Sequence, residues 1–333
     1  MKLPLSLALL FALPLALLAQ QKPHYSQYMM NNYLLNPAIS GIEDYADIKL
    51  GHRNQWTGIE GAPNTFYLSG HSRLGKSANL PTPGKARSKP GSFAAPARRT
   101  PYRKGKAHHG VGGVLLHDQI GPFVRTDMSA SYAYHLMLTR TVKLAGGASA
   151  GIISQTLRPD MLSFANPADN TATGWRMASP NLSTGFWLYS EDFYLGASVD
   201  QLLGNLVIPG TWRDRQYQLP HHYFLTGAYK MSLARNLALI PSVLVKWVSP
   251  LPVSVDVNAR AVYADQFWGG LSYRQADSFV FLTGVTLSHT FDVGYSYGVG
   301  ISALSRSSAG SHELVLGMRL LNRHKVLCPQ NLW

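Results

Sequence analysis

Few residues in this sequence have the types and spacing that catalysis or metal binding requires. Histidines stand next to one another, or next to an acid, at four places: His108-His109, His117-Asp118, His221-His222 and His312-Glu313. A metal ion or a general base needs such groups to converge on one point. Adjacent residues on a β-strand point to opposite faces. On strands, therefore, none of these pairs forms a two-histidine ligand set or a His–acid dyad by itself. Polar residues near the rims of a sheet are the plainer reading. Asp256 and Arg260 are four apart and share one strand face, where they either line a channel or pair structurally. The single cysteine, Cys328, excludes an intramolecular disulfide framework and a Cys-clustered zinc or iron–sulfur site. There is no His-Glu-x-x-His, no Gly-x-Ser-x-Gly and no phosphate-binding glycine loop. The expectation is a chain with no catalytic group, no metal and no cofactor.

The elements that would position these residues are strands. Alternation with period two recurs along the chain. Residues 123–138 set Val124, Met128, Tyr132, Tyr134, Leu136 and Leu138 against Arg125, Asp127, Ser129, Ser131 and His135. Residues 253–263 set Val253, Val255, Val257, Ala259 and Tyr263 against Ser254, Asp256, Asn258 and Arg260. Fourteen such segments are centred near residues 50, 69, 113, 131, 149, 185, 196, 226, 243, 258, 270, 283, 297 and 316; those near 149, 243 and 283 alternate poorly. Leu138–Val142, Ser190–Asp192, Leu233–Asn236, Ala264–Gln266 and Ser288–Thr290 are tight connections, whereas 156–180, 201–220 and 304–311 are longer. An even strand count, short turns at one mouth, longer loops at the other, an apolar outer face and a polar inner face describe an outer-membrane barrel. The predicted fold is all-β: a transmembrane antiparallel β-barrel of about 14 strands over residues 44–321, with both ends of the mature chain on the periplasmic side.

Composition agrees. Of 333 residues, 46% are hydrophobic and only 14% charged, against about 25% charged in an ordinary soluble domain; a disordered chain is excluded. Residues 1–19 have a positive start at Lys2, an apolar run from Leu3 to Leu18 and a small residue at Ala19, the layout of a cleaved signal peptide. Leu17 stands where a small residue is preferred, and an uncleaved anchor is the other reading. Residues 20–43 do not alternate cleanly and are read as a periplasmic or plug segment, and 322–333 as a tail. The net charge of +13 would suit nucleic acid if it were spread evenly, but residues 76–107 hold nine Lys or Arg and no acid, and without them it falls to +4. This Pro-rich insertion reads as a solvated segment able to touch anionic lipid or peptidoglycan. An exported chain makes nucleic acid an unsuitable partner.

Several runs together resemble the PorP/SprF family of outer-membrane proteins from type IX secretion and gliding systems. They are Tyr25-Ser26-Gln27-Tyr28-Met29, Asn36-Pro37-Ala38 with Gly41, Arg53-x-Gln55-Trp56 and Gly61-Ala62-Pro63 near the start. HDQIGPFVRT at 117–126, PVSVDVNARAVYADQFWGGLSYR at 252–274 and GSHELVLGMRL at 310–320, which holds His312 and Glu313, follow later. The family usually has an acidic residue after its Tyr-Ser-Tyr segment, where this chain has Gly298.

The resemblance implies a non-enzymatic barrel that supports export or surface retention of cargo such as adhesins, with type IX secretion components, a secreted cargo protein and outer-membrane lipid as partners. A porin-like small-solute channel is the alternative. Trp175, Trp212 and Arg213, in the long connections 156–180 and 201–220, are the candidate cargo contacts, because Trp and Arg are frequent interface anchors.

Overall fold

A computed structural model describes residues 25–75, 107–161, 174–204, 206, 219–301 and 308–322. The signal segment, almost all of the basic insertion, Trp212, Arg213, Cys328 and the tail beyond Asn322 lie outside the described residues.

The described chain forms fifteen strands in one antiparallel sheet that closes on itself. They are β1 (Ala46–Asn54), β2 (Asn64–Leu74), β3 (His108–Ile120), β4 (Phe123–Met137), β5 (Lys143–Leu157), β6 (Trp175–Tyr189), β7 (Phe193–Asp200), β8 (His222–Tyr229), β9 (Met231–Ala234), β10 (Leu237–Val248), β11 (Ser254–Tyr263), β12 (Phe267–Arg274), β13 (Ser278–Thr286), β14 (Phe291–Gly300) and β15 (Ser311–Leu320). β8 and β9 both pair with β10 and are separated by Lys230 alone. They make one interrupted stave, so the wall has fourteen. β1 pairs with β15 along its whole length, and this closes the ring. Closure gives every stave a neighbour on both sides, which is what lets strands cross a bilayer. No described helix is long and apolar enough to do so.

The predicted segments all fall on strands, including the three that alternate poorly. One connection is shorter than its expected 156–180: β5 runs to Leu157 and β6 begins at Trp175. Leu138, Ser190 and Leu287 close tight hairpins at one mouth, donating to Val142, Phe193 and Phe291 at 2.8–3.0 Å; this end is called the turn mouth below. The ends of β5 and β6, of β7 and β8, and of β14 and β15, which flank 156–180, 201–220 and 304–311, lie at the other, the loop mouth, while the basic insertion leaves β2 at the turn mouth.

Side chains divide as the period requires. On β11, Asp256, Asn258 and Arg260 are buried inward while Val257 is half exposed. Outward faces carry Phe186, Leu225, Val257, Leu271, Phe281 and Tyr295. Burying such side chains in lipid supplies the driving force for insertion. The inner face carries charges, and charges removed from water need partners. Ion pairs supply them for several: Arg125 with Asp127 at 2.8 Å, Arg319 with Asp292 at 3.1 Å, and Asp256 with both Lys246 at 3.2 Å and Arg274 at 3.1 Å.

Candidate functional site: the barrel lumen

The segment Tyr25–Tyr45 lies inside the barrel. Nearly every residue of it is buried, with Gln27, Ala38 and Ser40 at 0% exposure. It is too short in any one stretch for a regular helix. Instead it makes three single turns, Tyr28–Met30, Asn32–Leu34 and Pro37–Ile39. Asn36 starts the last of these. Its Oδ1 accepts from Ala38 N at 3.0 Å, and Pro37 follows at the first position, where a missing N–H costs nothing.

A chain folded this tightly leaves backbone groups unpaired, and in a lumen the wall must satisfy them. It does so around the circumference. Ser26 N donates to Glu313 Oε2 at 2.7 Å and Gln27 Nε2 to Glu313 O at 2.8 Å, both on β15. Asn31 reaches Ser69 on β2 at 2.8 Å, and Asn36 Nδ2 reaches the carbonyls of Phe186 on β6 and Ala197 on β7 at 2.9 and 3.1 Å. Ser198 donates to Leu35 O, Asn258 on β11 donates to Tyr28 Oη, and Arg274 on β12 donates to Tyr25 O. Tyr25 also sets its ring edge-on to Tyr67, 5.4 Å between centroids.

The direction of the segment is legible from these partners. Arg274 ends β12 at the loop mouth, and it holds Tyr25. At the other end, Ser40 and Gly41 are held by three histidines near the turn mouth. His135 Nε2 meets Ser40 O at 2.8 Å, His108 Nε2 meets Gly41 O at 3.0 Å, and Gly41 N donates to His71 Nδ1 at 3.3 Å. The chain therefore runs down the lumen and turns back up as β1. Asn322 sits at the turn mouth, bonded to His289 O. Tyr25 lies toward the opposite one, whereas the sequence reading had set both ends of the chain at a single mouth.

The wall is shaped to this occupant. A β-carbon on Gly147 of β5 would lie 2.5 Å from Ala38 Cα, and one on Gly110 of β3 would lie 1.8 Å from Ser40 O. Any larger residue at either position would displace the segment. Gly41 itself has φ +72°, which a side chain rarely adopts. Between the segment and β3–β7 remains a cavity of about 50 Å³, bordered by Tyr33, Asp127, Asn181 and Asp200. At roughly 15 Å³ or more each, that is space for a few waters.

Most of the residues singled out in the sequence fall into two groups. Tyr25, Gln27, Asn36, Pro37, Gly41, Arg53 and Glu313 meet in the lumen. Arg53 Nη1 lies 3.6 Å from Glu313 Oε2 and donates to Ser26 Oγ at 2.8 Å, and Tyr67 Oη donates to Glu313 Oε1 at 3.2 Å. Gln55, Trp56, Gly61 and Pro63 build the β1–β2 connection at the loop mouth. Gln55 N donates to Pro63 O, Gly121 N donates to Gly61 O, and Trp56 N donates to Ser311 Oγ. Trp175 is the first residue of β6, not a loop residue, and packs its ring 6.4 Å from Phe123.

The histidine pairs split across the wall. His312 faces out, with Nδ1 2.7 Å from Tyr295 Oη, while Glu313 faces in. His117 meets Thr126 on the exposed side while Asp118 is buried with Thr65. His109 bonds Tyr132 outside, and His108 stacks on His135 inside with 4.3 Å between ring centroids. His221 Nδ1 meets Gln201 O at 2.8 Å, and His222 is buried. Asp256 and Arg260 share the inner face but not each other. Asp256 takes Lys246 and Arg274, and Arg260 lies on Met30 Sδ at 3.1 Å and 5.9 Å from the Trp268 ring. Sequence reasoning named Ser26 in the first motif and His135 on a polar strand face but gave neither a contact, and it passed over His71; nothing local marks a strand histidine as a partner for a segment 30 to 95 residues before it.

A family model described as type IX secretion system membrane protein PorP/SprF matches residues 17–318. No curated relative matches the chain. Among solved structures it is similar to the toluene transporter TbuX of Ralstonia pickettii, with 12% identity, a TM-score of 0.48 and coverage of 89% of this chain and 94% of that one. It is also similar to Omp33 of Acinetobacter baumannii, with 8% identity, a TM-score of 0.45 and coverage of 84% and 100%. The CymD monoaromatic hydrocarbon channel gives 11% identity, a TM-score of 0.47 and coverage of 89% and 92%.

Proposed function

Since the chain belongs to the PorP/SprF family of type IX secretion system membrane proteins, we propose that it is a non-enzymatic outer-membrane docking component of that system. In this reading the cleaved signal peptide delivers it to the outer membrane, with the turn mouth in the periplasm and the loop mouth outside. It supports export or surface retention of a secreted cargo such as an adhesin. The observation that carries the reading is the family match over residues 17–318. The geometry supports it in one further respect: the two sequence-adjacent His–acid pairs, His117-Asp118 and His312-Glu313, are each divided between lumen and outer wall, so docking asks nothing of them as acid and base. The contact surface is then the loop mouth, through 158–174 and 201–221, and the machine-facing surface is the turn mouth with the basic insertion, which can also meet anionic lipid or peptidoglycan.

The test replaces 158–174 and 201–221 with short turns in a complemented deletion strain. Surface labelling should show that a specific secreted protein is no longer retained, while the barrel still assembles. A small-solute channel is the competing reading. It predicts unchanged cargo display together with reduced solute uptake in the deletion strain.

A further inference from the structure

We infer that Tyr25–Tyr45 is a resident plug that closes this barrel to small solutes, and that the Arg53–Glu313 node is the latch that seats it. The inference adds to the docking reading and stands apart from it, because a closed lumen is a property of the barrel alone.

Three observations carry it. The segment bonds to β1, β2, β3, β4, β6, β7, β11, β12 and β15, so it spans the bore and does not lie along one side. The wall has no side chain at Gly110 and Gly147, where the segment's backbone presses closest. The void between it and β3–β7, about 50 Å³, has room for only a few waters.

The latch is the densest part of this contact. Glu313 Oε2 accepts the backbone N–H of Ser26, Oε1 accepts Tyr67 Oη, and its carbonyl accepts Gln27 Nε2. Arg53 closes the circuit by reaching both Glu313 and Ser26. All but the Gln27 bond are charge-assisted, in a site shielded from water where each is worth more than in solvent. At the other end the segment continues covalently into β1, so the free direction of escape is at the loop mouth. The latch sits on that half.

With the segment gone, the bore would be lined by Arg53, Arg125, Asp127, Asp256, Arg274 and Glu313, a polar lining that water wets.

The experiment is conductance of the purified full-length barrel in planar bilayers. Wild type should be silent. A variant lacking residues 25–39 should give discrete conductance steps. If that deletion does not assemble, Arg53→Ala/Glu313→Ala, which keeps the whole chain, should show the same appearance of steps. A further variant, Ser40→Cys/Ser131→Cys on a Cys328→Ser background, fixes the plug to β4. The two hydroxyls are 2.7 Å apart, which suits a disulfide. Oxidised, it should stay silent. Steps of equal size in wild type and in the unplugged variant, persisting in the oxidised crosslinked protein, would overturn the inference. So would silence of every assembled unplugged variant.

Discussion

Glu313 and its neighbour His312 show what a single residue contributes in a wall one side chain thick. Glu313 is 1% exposed and holds Ser26, Tyr67 and Arg53. Its removal leaves the Arg53 guanidinium buried without its carboxylate, and breaking such a buried pair costs about 3–5 kcal/mol. Glu313→Ala should therefore lower the temperature at which the barrel loses its heat-modified mobility on a gel, and Glu313→Gln should lower it less. His312→Ala, which removes an outward contact to Tyr295, should change it little. Equal losses from both neighbours would contradict the assignment of faces. On β11, Val257 is 52% exposed. Val257→Arg places a charge against lipid at a cost of roughly 2–4 kcal/mol near the midplane and should impair assembly. Its inward neighbour Asn258 donates to Tyr28, so Asn258→Arg should disturb the plug instead, leaving the wall assembled but leaky. Which face each of these residues takes was legible from period two alone. Which partner each takes was not. Asp256 and Arg260 lie on one face as expected, yet four residues of strand is about 13 Å, and partners on the adjacent strands and the plug win. Arg53 and Glu313 are 260 positions apart in the sequence, and only closure of β1 on β15 brings them together.

Strands and hairpins were the readable elements because their signal is local. Alternation and tight turns placed all fourteen staves, even where inward glycines and alanines weaken the pattern on β5. The break at Lys230 that divides the eighth stave has no comparable signature. The plug was hardest to read. Its three short turns have no period, and their stability comes from the wall, not from propensity. What the sequence does carry is the set of small residues facing it. Gly147 is one, and Gly147→Leu should unseat Ala38 while β5 still pairs with β4 and β6. Chymotrypsin should then cut the assembled barrel at Tyr28 or Tyr33, read by mass spectrometry; continued resistance would mean that the segment can be accommodated elsewhere. The basic insertion is a separate case. Leu74 and His109 are paired partners where the chain leaves β2 and enters β3, so the two strand ends already sit a hairpin's width apart. Deleting residues 78–104 and joining the ends with a short Gly/Ser turn should leave a folded, heat-modifiable barrel. Loss of the barrel would show that the insertion is part of its architecture.

At the scale of the molecule, a closed wall, a filled lumen and a family of secretion proteins fit a component that works by presenting surfaces. The wall divides His117 from Asp118 and His312 from Glu313, and the plug removes the bore from use. What remains are two rims. The loop mouth brings together the β1–β2 connection, stitched to Ser311 and Gly121, with the ends of β5, β6, β7 and β8. The turn mouth offers the hairpins and the point where the insertion departs. A docking component of this form should fail selectively, losing its cargo but not its assembly, when one rim is altered. The most direct measurement is surface labelling of secreted proteins in three strains: a deletion strain, the same strain complemented with wild type, and the same strain complemented with the variant whose 158–174 and 201–221 connections are short turns. The account predicts that wild type restores a specific surface protein and that the loop variant, present in the outer membrane at wild-type level, does not. Unchanged display of secreted proteins in both the deletion and the loop-variant strains would contradict it.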